Sequence, residues 1–104
     1  MNLEMTIFQL ITHSGDAKSL LFEAIQHAKT GDASGAQEKI EKAEEHLAMA
    51  HKEQTGLIQM EAQGKPAEVS LLLIHAQDHL MNAIMFKDLA KELVEVYTRL
   101  EKKA

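Results

Sequence analysis

The sequence predicts an all-α fold, an antiparallel up-down-up bundle of three helices. Three observations predict it. Leu, Ala, Glu, Lys and Gln dominate, and all are good helix formers. Runs of β-branched residues, which favour strands, are absent. The chain holds one Pro and five Gly, and its two break clusters divide it into three long segments. Those breaks are Thr30-Gly31-Asp32-Ala33-Ser34-Gly35 and Gly64-Lys65-Pro66. The connections are short, so neighbouring helices must run antiparallel.

The first helix is expected over 3–29. Leu3, Ile7, Leu10, Ala17, Leu21, Ala24 and Ala28 recur at helical spacing and form its inner face. Gly15 interrupts the pattern and marks either a local break or a close helix approach. Gly31 suits the left-handed position after the last turn. The second helix is expected over 34–63, opened by a capping box in which Ser34 and Gln37 satisfy free backbone amides. Ala36, Ile40, Ala43, Leu47, Ala50, Leu57 and Ile58 give its inner face, with Glu38, Lys39, Glu41, Lys42, Glu44 and Glu45 outside. The third is expected over 67–102, with Pro66 in a first-turn position.

At 104 residues the chain is one domain, 1–104, with no room for separate substrate and cofactor domains. A net charge of −5 argues against nucleic acid and anionic lipid as partners, since both need a basic surface. With no Cys, disulfides, thiolate metal sites and cysteine catalysis are excluded, and a reducing cytoplasmic setting fits. An acidic N-terminus with no small-residue cleavage site gives no expectation of an export signal. The absence of a long uncharged apolar run gives none of a membrane span.

Val69 to Phe86 is the unusual stretch: twelve of its eighteen residues are apolar and none is Lys or Arg. On a helical wheel it has no solvent face. Leu71, Ile74, Asp78, Met85 and Leu89 lie on one stripe, Leu72, Ala76, His79, Ala83 and Phe86 on a second, and Leu73, Leu80 and Ile84 on a third. A helix apolar all round is buried all round. Two neighbours cover about two sides, so the third must meet another copy or another protein. Self-association through the third helix is therefore expected, with an apolar docking groove on a monomer as the alternative. Asp78 sits within an apolar stripe. A carboxylate buried there needs a cation, symmetry-related hydrogen bonds or a proton. Several copies of Asp78 meeting at an axis are suited to an oxygen-seeking ion such as Mg²⁺.

His75 lies between Asp78, about 60° to one side, and His79, about 40° to the other. His51 and Gln54 interrupt an apolar seam of the second helix. Three readings of His75-Ala76-Gln77-Asp78-His79 stand open on spacing alone. In the first, His75 and His79 at i, i+4 ligate zinc. The match to the H-x-x-E-H zinc peptidase pattern is loose, because Asp is one carbon short and the chain is small for a peptidase cleft. In the second, the histidines are hydrogen-bonded packing residues; His13, His27 and His46 read as such or as surface residues, and no role is assigned to them. In the third, His75 is a nucleophile that carries a phosphoryl group, with donors from Gln54, Gln77 and His79.

The run Val69-Ser70-Leu71-Leu72-Leu73-Ile74-His75-Ala76-Gln77-Asp78-His79-Leu80-Met81 resembles the signature of the IIA component of lactose/cellobiose (chitobiose)-type phosphotransferase systems. Gly15-Asp16-Ala17-Lys18-Ser19 with Glu23-Ala24 resembles that family's first helix, and His51 to Gln59 its second. Phe86 to Glu92 resembles the tail of its third, with Asn82 a departure where Thr is common. The resemblance implies a cytoplasmic phosphoryl carrier, a phosphotransferase component that forms a homotrimer. It implies that His75 accepts the group from phospho-HPr and passes it to a cysteine of a cognate IIB component, driving uptake and phosphorylation of a disaccharide. Contact with the membrane is then only through the sugar permease complex. By motif position Asp78 matches the residue that gathers around a structural divalent cation, with Mg²⁺ expected. Gln77, His79 and Gln54 are neighbours of the phosphoryl site. The competing functions are a non-enzymatic helical scaffold or adaptor and a metal-binding helical oligomer.

Overall fold

In the computed structural model, which describes residues 2–103, the helices are α1 (Leu3–Lys29), α2 (Ala33–Ala62) and α3 (Leu71–Lys103). The described residues contain no strand. The rod measures 57 × 20 × 19 Å, long in one direction because three helices of similar length lie side by side.

Each helix end has a local cause. Asn2 caps α1 by accepting the Met5 N–H on its side-chain oxygen at 3.1 Å. At the other end Gly31 has φ +80°, and the Asp32 N–H donates to the His27 carbonyl at 2.8 Å. The Gly31 N–H reaches the Ala28 carbonyl, which completes the paired closure that a left-handed glycine permits. The end of α2 repeats the motif: Gly64 has φ +81°, and Lys65 N–H donates to Met60 at 2.9 Å.

Two expected starts are corrected. Helix α2 is capped by Asp32 rather than Ser34, with the Gly35 N–H donating to Asp32 Oδ1 at 2.8 Å. The carboxylate wins because His27 of α1 holds its other oxygen, Nδ1 to Oδ2 2.9 Å, while Ser34 lies inside the first turn. Both bonds hold the Asp32 carboxyl below its usual range, the Gly35 amide more than the imidazole. Helix α3 starts at Leu71, not at 67. Pro66 to Val69 stay outside it, and the Leu73 N–H donates to Ser70 Oγ at 3.1 Å, which makes Ser70 the cap.

Helix α1 passes Gly15 without a break. A Cβ placed there would lie 3.9 Å from His79 Nε2, so Gly15 marks the close approach of α3. The core is Leu, Ile and Ala: Leu10 and Leu21 of α1, Ile40 and Leu47 of α2, Leu73 and Leu80 of α3, with alanines between. Small alanines at the contact positions let the axes approach closely.

Only one side of α3 is covered. Leu73, Ala76, Leu80, Ala83 and Ala90 are buried against the other helices. Ile74, Met81, Met85, Leu89, Leu93, Val96 and Leu100 remain 42–61% exposed. Their spacing of three and four keeps them on one stripe, and Asp78 sits in it. The all-round apolar character of this helix thus resolves into one packed face and one open face.

Candidate functional site around His75

His75 is exposed and lies one turn into α3. It sits at the edge of the open stripe, on the side towards α1. His79, one turn on, is half-buried beneath the α1 backbone at Gly15, and the two imidazoles meet edge to face with centroids 5.7 Å apart. His75 therefore has the more accessible ring and His79 the more fixed one. Farther along the same side, Phe22 of α1 packs on Phe86 of α3 with centroids 4.6 Å apart, at an offset in chain numbering equal to that of Gly15 and His79. Phe8 stands the same number of residues before Gly15 as Phe22 stands after it, so all three share a face of α1. Phe8 and Phe22 are both exposed, which leaves aromatic surface along the edge that carries His75.

Buried polar atoms line this contact. Ser14 Oγ and His79 Nδ1 have no hydrogen-bond partner among the described residues. Each such atom costs about 1–3 kcal/mol when unpaired.

The other residues expected near His75 divide into two places. Gln54 of α2 and Gln77 of α3 come together, with Gln54 Nε2 donating to Gln77 Oε1 at 2.9 Å and to Met81 Sδ at 3.7 Å. Gln77 is about 200° round the helix from His75. The amide of Gln54 is thus engaged on the side of α3 turned to α2, and within one chain it offers His75 no donor. Asp78 belongs to the open stripe. It is exposed in the single chain and accepts from Asn82 Nδ2 at 3.2 Å, so its expected burial requires a second copy. His51 is exposed and lines a surface groove of about 430 Å³ between α2 and α3, with Glu44, Ile84 and Lys87.

Among the described residues no three His, Asp or Glu side chains converge on one point. Three ligands from the protein are the usual requirement of catalytic zinc.

One pair was missed by the sequence reading. His13 and His46, given no role there, meet across α1 and α2 with their Nδ1 atoms 2.9 Å apart. The signal was present: His13 stands between Leu10 and Ala17, and His46 between Ala43 and Ala50, at core spacing.

Among the described residues no helix is long and apolar enough to cross a membrane. Residues 5–98 match the family described as the PTS system, lactose/cellobiose specific IIA subunit. The lichenan-specific phosphotransferase enzyme IIA component of Bacillus subtilis is 50% identical over 98 residues, covering 94% of this chain and 89% of that protein. The lactose-specific EIIA component of Streptococcus mutans is 45% identical, covering 88% of each. Among solved structures, the cellobiose-specific enzyme IIA of Bacillus anthracis superposes with a TM-score of 0.96 at 51% identity, over 100% of this chain and 95% of that one. The Escherichia coli IIA(chitobiose) chain, solved in complex with HPr, gives a TM-score of 0.84 at 38% identity, over 97% and 98%. A match spanning nearly the whole chain, on the same three-helix fold, shows that this protein belongs to the lactose/cellobiose-specific IIA subunits of the phosphotransferase system, a family of phosphotransferase components.

Proposed function

We propose that this chain is a cytoplasmic phosphoryl carrier in which His75 takes the group from phospho-HPr and delivers it to the cysteine of a cognate IIB component. The observation that carries the reading is the exposed imidazole of His75, held at the edge of α3 against the fixed ring of His79. The related E. coli chain in complex with HPr supports the choice of donor. Transfer needs little covalent machinery beyond placement. The lone pair of a neutral His75 nitrogen forms the new N–P bond as the donor's phosphoramidate N–P bond breaks. In the second step a cysteine thiolate forms S–P while the His75 N–P bond breaks, and His75 leaves as imidazole. A donor close enough to react must cover the edge of α3, which brings it onto the exposed rings of Phe8 and Phe22. The final acceptor is a disaccharide entering through the membrane component. It never touches this chain, which fits relatives whose names range over lichenan, lactose and cellobiose.

The working form is a homotrimer joined through α3. Its support is the open apolar stripe from Ile74 to Leu100, larger than a lone soluble chain ordinarily exposes. Asp78 interrupts that stripe, and its carboxylate is a hard oxygen donor suited to Mg²⁺. One carboxylate per chain fits a site assembled only when several copies meet. The ion's part is to neutralise like charges at the axis.

The test is incubation with phosphoenolpyruvate, enzyme I and HPr, followed by mass spectrometry. One acid-labile, alkali-stable phosphoryl group per chain, on His75, is expected. His75→Gln should lose it with helicity unchanged. An unmodified chain, or a phosphoryl group on another residue, refutes the proposal.

A further inference from the structure

We infer that Gly15 is a positioning residue for the phosphoryl group. Lacking a side chain, it leaves the Nε2 corner of His79 uncovered, and Nε2–H donates there to a phosphoryl oxygen carried by His75. This role rests on the reading of His75 as the carrier, and it brings a residue of α1 into the site. Glycine is less favourable than alanine inside a helix, yet α1 runs through Gly15 without a break. Its φ is not positive, so alanine could take the same backbone. Space does not forbid alanine either. A Cβ at Gly15 would meet His79 Nε2 at 3.9 Å, an ordinary van der Waals contact, with no other α3 atom within 4 Å. Neither backbone conformation nor crowding accounts for a glycine here. What a methyl group would change is access to one nitrogen.

That nitrogen is the one able to donate. His79 Nδ1 is enclosed and has no hydrogen-bond partner among the described residues. Buried N–H groups left without an acceptor are rarer than buried acceptors left without a donor. A neutral imidazole carries one proton. It therefore sits on Nε2, at the half-buried edge beside Gly15. The rings of His75 and His79 meet edge to face with centroids 5.7 Å apart, so a group carried by His75 stands next to this N–H. Of the three donors expected for the phosphoryl oxygens, Gln54 and Gln77 bond each other on the side of α3 turned to α2. His79 is the one that remains on the side of His75. Its bond to an anionic oxygen is charge-assisted, hence short and sensitive to displacement. A methyl group over Nε2 pushes the oxygen outwards or turns the ring, and weakens the bond either way.

The test sets the natural chain and Gly15→Ala each against HPr charged by phosphoenolpyruvate and enzyme I. The partition of the phosphoryl group between HPr and His75 is read at equilibrium, together with Tm. We expect Gly15→Ala to raise Tm, because alanine replaces glycine within a helix. We expect it to move the partition about tenfold towards HPr, the loss of one hydrogen bond to a charged group. A glycine needed only for packing would lower Tm and leave the partition alone. His79→Phe should move the partition by a similar factor, and the double variant no further, since Gly15 acts through His79. Nitrogen NMR of the natural chain should find the His79 proton on Nε2, a readout that needs no phosphoryl group and stands even where a variant distorts α1. An unchanged partition in Gly15→Ala, a double variant whose shift is the sum of the two, or a proton on Nδ1 overturns this role and leaves His75 as the carrier. A natural chain that takes no phosphoryl group on His75 overturns both.

Discussion

Leu89→Glu tests the open face of α3 most directly. Leu89 is 54% exposed in the single chain and lies on the stripe eleven residues beyond Asp78. Glu is nearly as good a helix former as Leu, so the isolated subunit should fold unchanged. The effect must then appear in assembly. Burying a whole Leu side chain is worth about 1.5–3 kcal/mol, so the exposed half is worth about 1 kcal/mol per chain, or roughly 3 kcal/mol for three chains. Three carboxylates brought towards one axis add like-charge repulsion and desolvation, at least about 2 kcal/mol more. No Lys or Arg stands three or four residues away on α3 to relieve them. The total, about 5 kcal/mol, would weaken the proposed trimer by more than three orders of magnitude. Sedimentation velocity at micromolar protein should show a trimer for the natural chain and a monomer for the variant, with equal helicity by circular dichroism. A variant that stays trimeric, or a natural chain that sediments as a monomer, refutes the reasoning.

Asp78→Leu should act in the opposite direction. It removes the like charges of the stripe, so association is retained or strengthened without divalent cation, read by sedimentation in the presence of a chelator. Leu80→Ala opens a cavity at a residue with no exposed surface, and a loss of about 2–5 kcal/mol is expected in the urea midpoint. For pH, Asp32 has its folded-state value lowered, by the Gly35 amide first and His27 second. Its contribution is therefore complete above the unfolded aspartate value and lost as pH falls from there through the folded value. Asp32→Asn keeps an acceptor for the cap but removes this titration, so its acid-unfolding curve should be flatter than the natural chain's over that window.

The number of helices and their order were legible because each is long and strongly periodic, and glycine ends the first two. The site was legible in part. His75 and His79 are one turn apart, and spacing alone places them together. Gln54 and Gln77 were assigned to the same neighbourhood, but two residues along a helix is more than half a turn, and the structure joins them on the side of α3 facing α2. The helix starts failed where a stronger local partner existed. Ser34 reads as a cap until His27 is seen to hold Asp32, and Pro66 reads as a first turn until Ser70 is seen to accept the Leu73 amide.

Composition and periodicity by themselves determined a three-helix rod without strands among the described residues, and a third helix with apolar residues on every side. They could do so because helix formation and face polarity are local properties, repeated every few residues. Which apolar side of α3 is packed and which is open was decided only by tertiary structure. So was the meeting of His13 with His46 and of Gly15 with His79. Those depend on the axial register and rotation of one helix against another, which alanine-rich contacts fix in space and which no spacing within a single helix encodes.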